Sequence, residues 1–314
     1  MALTNELQSG RDMQRDTERP RQAKVDPQIS VGSGRQVSAA DIVMGLARDL
    51  NTDKLELPGF PDVVARIQRA VVDETTSSRD LVRLVASEPA LAARYLQLAN
   101  SAAFNKSGKE VSDLRAAINL LGFNVVRSQA SIFAIREMEK QEWLKPIRPV
   151  LADIWKTSNG VAALCFAVAK NVPGVPPDES MATGLFHLMG KLYLFARARM
   201  DSLNPAEIAD WEKALNDWHA TIARTILDHW NIPERIAEAV ENQNSIFEAG
   251  NNDLSPMARI LCGAKLYYRL RKPGAPSEPE AEEALAKIRV NGQPFQEIAA
   301  AAHADVDAAR SALA

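Results

Sequence analysis

Apolar side chains recur every three or four positions along most of the chain, the spacing of a helical face turned towards a core. In SEPALAARYLQLAN the stripe is Leu91, Tyr95, Leu98 and Ala99, with Ser87 as the expected cap and Pro89 in the first turn. In SDLRAAINLLG it is Leu114, Ile118 and Leu121, with Ser112 as the expected opening cap and Gly122 as a natural stop. Asn124 then opens NVVRSQASIFAIREM, so two helices are expected to meet at a tight corner. Asn204-Pro205-Ala206-Glu207 combines a cap, a first-position proline and a capping-box acid. Trp211, Leu215, Trp218 and Ile222 follow at helical spacing and read as core. The pattern breaks near Asn231, and Pro233 starts PERIAEAVENQ. No segment alternates well enough to predict a strand, and the absence of a fixed-period repeat argues against a solenoid. The predicted fold class is all-α, a globule of many medium-length helices with short connections.

Two stretches lack the stripe. Residues 1–37 are polar and mixed in charge, too poor in apolar side chains to offset the entropy of ordering, and read as a flexible arm. KPGAPSEPEAEE (272–283) reads as a connector, followed by short helices to 314 that pack alongside or cap the N-terminal lobe. Over the 314 residues, 46% hydrophobic and 25% charged content is that of a soluble globule with ample core. A net charge of −3 gives no general attraction to nucleic acid or an anionic membrane. The longest apolar run, GVAALCFAVA (160–169), is too short to cross a bilayer, and no apolar stretch follows a basic start. A cytoplasmic chain with no membrane partner is expected. Cys165 and Cys262 lack paired metal-type spacing and read as buried, reduced thiols.

The chemistry worth weighing sits in GLFHLMGKLYLF (184–195), where His187 and Lys191 interrupt an apolar run. Neither a glycine-rich phosphate cradle nor a Gly-x-Ser-x-Gly elbow can be written through the chain. Arg197 and Arg199 in FARARM could face an anion such as a nucleotide phosphate, or complement the dipole of a helix end. A DNA-reading helix over 125–139 would carry two acids and only two arginines, so nucleic acid is not an expected partner.

Five stretches, in order, resemble the HDOD family, the HD-related output domain of bacterial signalling proteins. They are LPGFPDVVARI (57–67), ASEPALAARYLQLANSAAF (86–104), VSDLRAAINLLGFNVVRSQA (111–130), GLFHLMGKLYL, and HATIARTILDHWNIPERIAEAV (219–240). The resemblance implies a multi-helical HD-like fold over about 40–270. An N-terminal helical lobe (40–140) precedes a degenerate HD-type helical bundle (146–270), with 271–314 as connector and short C-terminal helices. It also implies a role in signal transduction, usually without enzymatic activity.

Catalytic HD relatives hold divalent ions with His and Asp side chains, which activate water and neutralise phosphoryl charge. By the same resemblance, Thr157 stands where the first histidine ligand would be. His187-Leu188 stands for the His-Asp pair, and His219 matches a further histidine. Asn242, Gln243 and Asn244 stand for later histidines, and CGAKL (262–266) has no acid for the last aspartate. Two imidazoles without a carboxylate are too few for Zn²⁺ and chemically wrong for Mg²⁺. The expectation is therefore no cofactor, no catalysis, and a vestigial pocket of His187, Lys191, His219, Thr157, Arg197 and Arg199. The expected partner is an unidentified signalling protein. The alternative is a nucleotide- or second-messenger-binding HD protein with residual metal-dependent phosphohydrolase activity.

Overall fold

The computed structural model describes residues 38, 40–45, 62–72, 76–245 and 253–313. The arm expected over 1–37, the first five residues of LPGFPDVVARI and the segment 246–252 lie outside them.

The described chain is helical from end to end apart from one short hairpin. The N-terminal lobe comprises α1 (Asp62–Val72), α2 (Ser78–Ala86), α3 (Pro89–Ala99), α4 (Leu114–Leu121) and α5 (Phe123–Glu139). A 3₁₀ turn (Glu142–Ile147) leads into the bundle: α6 (Arg148–Ala169), α7 (Pro177–Phe186), α8 (Met189–Met200), α9 (Trp211–His229), α10 (Glu234–Glu241) and α11 (Pro256–Leu270). The chain closes with α12 (Pro279–Lys287), the hairpin β1 (Arg289–Val290) and β2 (Gln293–Pro294), then α13 (Phe295–Ala301) and α14 (His303–Leu313).

The helix ends show why the elements stop where they do. Ser77 and Asp80 form a reciprocal capping box at the start of α2. Ser87, expected to open α3, instead closes α2, its hydroxyl donating to Leu84 O at 2.6 Å; Pro89 alone marks the start of α3. The cap of α4 is Asp113 rather than Ser112, accepting from Ala116 N at 2.9 Å. Gly122 has φ +78°, which lets α4 and α5 meet in a corner with no residue between them but itself. Asn204 caps only a 3₁₀ turn, and α9 begins later, after Asp210 in the left-handed region.

The core runs through both lobes. The stripe Leu91, Tyr95, Leu98 and Ala99 is buried, and the Tyr95 hydroxyl donates to Val126 O at 2.6 Å, tying α3 to α5. At the centre of the bundle α6 and α7 cross closely: a Cβ on Gly184 would lie 2.4 Å from Ala162 Cα. Trp211, Leu215 and Ile222 are buried as expected, whereas Trp218 is 47% exposed. It lies on the solvent side of α9, so that part of the stripe prediction was wrong. The C-terminal helices pack chiefly on α6 and α11 rather than capping the N-terminal lobe. An ion pair between Lys170 and Asp305 and a bond from Asn159 Nδ2 to Leu313 O at 3.2 Å hold α14 to α6. The hairpin turns through Asn291 and Gly292, both at positive φ.

Candidate functional site

His187 stands at the junction of two helices, closing α7, and Leu188 opens α8. The run can turn there because both of its glycines sit at close approaches, Gly184 against α6 and Gly190 against α9. A Cβ on Gly190 would come within 1.9 Å of His219 O. That contact of α8 with α9 sets the two imidazoles near one another, and both are buried.

His187 Nδ1 donates to Gly184 O at 2.7 Å, and His219 Nδ1 donates to Asn216 O at 3.2 Å. In a neutral His187 ring Nε2 therefore keeps its lone pair, whereas the other side of the His219 ring meets the Gln243 side chain.

Positive charge lies beside the two rings. Lys265, on α11 in the CGAKL segment, directs its ammonium into the turn after α10. It donates to Gln243 O at 3.1 Å, Gln243 Oε1 at 2.7 Å and Asn244 Oδ1 at 2.7 Å. Gln243 Nε2 in turn donates to His187 O at 2.9 Å, closing the network. An ammonium has three protons to give, and all three have acceptors.

The electrostatics follow from burial among like charges. Burial, then Lys265, holds His187 well below its ordinary pKa, with His219 and Lys191 adding smaller effects and the Gly184 bond opposing them. Burial followed by Lys265 and Lys191 takes His219 down to about 4, against hydrogen bonds with Asn216 and Gln243. Lys265 itself is lowered to about 7, chiefly by burial of its ammonium although part of the side chain reaches solvent. Lys191 is lowered by burial too, with Glu212 working the other way. Glu212, which acts on Lys191, is exposed on α9.

A divalent ion does not fit this donor set. Two neutral nitrogens would have to hold it against two lysines, with no anionic oxygen among the described residues placed to bind it. Among the described residues no group of three or more His, Cys, Asp or Glu side chains is placed to hold a metal. Cys262 Sγ lies 3.3 Å from Gln243 O, and burial pushes the neighbouring Cys165 thiol up to about 12, so Cys165 is not an activated thiol.

Of the residues expected at the pocket, His187, His219 and Lys191 come together. Thr157 is half-buried on α6, and no hydrogen bond among the described residues joins it to the cluster. Arg197 and Arg199 belong to the far end of α8, where Arg197 Nε donates to Asp201 at 3.1 Å and Arg199 Nη1 to Leu203 O at 3.3 Å. Lys265 and Gln243 were missed as participants. The signal for Lys265 was present: it follows Leu261 by four and Cys262 by three, which puts a lysine on the apolar face of α11.

A second polar junction joins the lobes. Glu179, buried on α7, pairs with Arg235 and accepts from Asn124 Nδ2 at 3.0 Å, while Arg127 Nη1 donates to Asn231 O at 3.0 Å. Burial raises Glu179 despite Arg235. Asn124, expected as a helix cap, is therefore a bridge between α5 and the bundle.

Known proteins share this fold. A provisionally assigned metal-dependent phosphohydrolase from Shewanella amazonensis SB2B superposes with a TM-score of 0.65 at 21% identity, covering 88% of this chain and 99% of that one. An HDOD domain protein of unknown function from Geobacter sulfurreducens superposes with a TM-score of 0.53 at 18% identity, covering 86% and 96%. At such identities the likeness establishes the HD-like, all-helical fold. An uncharacterised protein of Treponema pallidum (strain Nichols) is 23% identical over 256 residues, 76% of this chain; the chain spans 47% of that relative's length. Residues 57–246, more than half of the sequence, match the HDOD domain, and the chain belongs to that family.

Proposed function

We propose that the chain is a non-catalytic regulatory module of bacterial signalling that acts by binding a partner protein. The observation that carries this reading is the Lys265 ammonium, held by three oxygen acceptors in the segment where the resemblance places the last acidic ligand. Hydrogen-bonded to three oxygens, and with its pKa lowered to about 7, this amine offers no coordination position to a phosphoryl oxygen. It ties α11 to the turn after α10, and unlike a divalent ion it does not acidify a bound water. A fold can keep its recognition surface after losing its chemistry.

Support for a protein partner comes from family membership and from apolar side chains left in solvent: Leu120 and Phe123 at the α4–α5 corner, and Trp218 on α9. Helix α5 is buried over most of its circumference, from Val125 to Ala134 and again at Met138, which leaves no free face for a DNA groove. Among the described residues no single helix is long and apolar enough to cross a membrane.

Elemental analysis after exposure to Fe²⁺, Mn²⁺ and Zn²⁺, beside assays on a phosphomonoester and a phosphodiester, tests the catalytic half. The expected result is substoichiometric metal, no turnover, and no difference in His187→Ala. Stoichiometric metal that disappears with His187, together with hydrolysis, would replace this reading by a metal-dependent phosphohydrolase. For the partner half, interactors recovered by the wild-type chain should be lost from Trp218→Asp or Phe123→Asp. Unchanged recovery by both variants would contradict the proposed surface.

A further inference from the structure

Two clefts open elsewhere on the molecule, and neither is lined by His187 or His219. The larger, about 600 Å³ between α6, α11 and α14, is rich in cations. Each of its guanidinium groups and Lys272 already has a carboxylate: Arg271 has Glu282, Lys272 has Asp153, and Arg310 has Asp307. Apart from the exposed Lys156, charge there is spent within the protein.

The smaller cleft, about 340 Å³, differs in this respect. It lies between α3 and α5, with Leu185 and the end of α14 at its inner side. Arg94 from α3 and Arg136 from α5 both line it, and both are half-buried. Neither has a carboxylate within ion-pair distance among the described residues. Arg136 instead lies 5.9 Å from the Trp155 ring centroid. The Arg94 guanidinium is held below its ordinary pKa by burial and by Arg136, the mark of two like charges facing the same space. Glu137 is the only acid in the lining and is paired with Lys140.

Gln129 supplies an independent observation. It is 3% exposed, it lines this cleft, and its amide Nε2 has no hydrogen-bond acceptor. Buried donors are nearly always satisfied, so one left over at the wall of a cavity needs an acceptor from outside the chain. Two forked guanidinium groups and an amide make a set of donors without acceptors. Guanidinium pairs oxyanions through two parallel bonds. A carboxylate offers two oxygens, enough for one fork; a phosphate offers three terminal oxygens and up to two charges, which matches two forks and an amide. The remaining wall, Ile132 and Phe133, is apolar and fits an organic body.

We propose that this cleft binds a small phosphate-bearing organic molecule, its phosphate between Arg94 and Arg136 with the Gln129 amide as a third donor, and its apolar part on Phe133 and Ile132. The site is built on two helices of the N-terminal lobe and closed by the bundle, so a ligand there touches both. It does not depend on the His187 cluster being inert, and the two ideas fail separately.

Isothermal titration of the full chain with phenyl phosphate, inorganic phosphate and benzoate tests it. Phenyl phosphate should bind about tenfold or more tightly than either of the other two, because it alone offers both parts. Arg94→Gln and Arg136→Gln should each weaken it by about tenfold or more, and Gln129→Leu by less, while Arg115→Gln on the exposed side of α4 leaves it unchanged. The melting temperature of unliganded Arg94→Gln should not fall, since the substitution relieves a repulsion; binding lost from a folded variant is then a loss of contacts. Absence of phenyl phosphate binding, binding unaltered in both arginine variants, or equal affinity for benzoate would overturn the assignment.

Discussion

The His187–His219 cluster and the Arg94–Arg136 cleft both gather nitrogen groups that have no ion-paired carboxylate among the described residues, and they have settled this in opposite ways. In the bundle, the chain supplies its own partners. Backbone carbonyls fix the imidazoles, Gln243 bonds to His187 O, and three oxygens take up the Lys265 protons. In the cleft the partners are missing: two guanidinium groups face one another and an amide proton has no acceptor. The lesson is that a site is recognised by what it leaves unsatisfied rather than by its inventory of reactive side chains. The histidines that first draw the eye belong to a closed network, whereas the arginines that no motif singles out face an open space.

This contrast can be broken or sharpened experimentally. The largest effect is expected at the helix approach that closes the bundle network. Gly190→Ala should destabilise the fold by about 3 kcal/mol or more, because its Cβ would meet the His219 carbonyl on rigid backbone. Urea unfolding measures it, and a loss under about 1 kcal/mol would mean that the two helices are not clamped there.

Next comes acid. The folded chain refuses a proton at His219 until about pH 4, whereas the unfolded chain accepts one near 6.5. Stability therefore declines as pH falls from 6.5 to about 4, by about 3 kcal/mol from this residue, and this contribution levels off below that. His187, lowered as well, adds to the decline as pH falls below 6.5. In His219→Gln the slope over this window should shrink by about that amount; an unchanged slope would place the imidazole in water.

A smaller effect isolates Lys265. Removing its charge in Lys265→Met should raise the His219 pKa by about one unit, followed by NMR titration of the ring protons. No movement would separate the lysine from the imidazoles and remove the claim that it occupies an ion's place. Smallest of all, Arg94→Gln should alter the unliganded stability by only about 0.5 kcal/mol, in the favourable direction, since half-exposed like charges are screened.

What the sequence disclosed depended on whether the determinants were local. Helical stripes such as Leu91, Tyr95 and Leu98, and breaks such as Gly122 and Asn231, are written in neighbouring residues and were legible. Caps were legible to within a residue or so, because Ser, Asp and Asn satisfy either end of a helix: Ser87 serves α2 and Asp113 serves α4. The hairpin escaped because strands of two residues are too short to show alternation, although Asn291-Gly292 is the turn pair that favours it. Trp218 shows the limit of a stripe, since spacing puts a residue on a face but its edge can still reach solvent. That Leu188 and the CGAKL segment offer no carboxylate is legible from the residues themselves. That Lys265 stands beside His187 and His219 is not, because it reaches Gln243 and Asn244 across 22 and 21 residues of chain. Arg94 and Arg136 share no sequence pattern at all; only the packing of α3 beside α5 makes them neighbours.

The central claim is that an internal ammonium has taken over the cation's place beside His187 and His219. Anomalous diffraction from crystals soaked in Mn²⁺ addresses it most directly. The account predicts no peak within bonding distance of either Nε2, with the Lys265 ammonium still on the oxygens of Gln243 and Asn244. A fully occupied peak bridging the two imidazoles, with Lys265 swung aside, would contradict it.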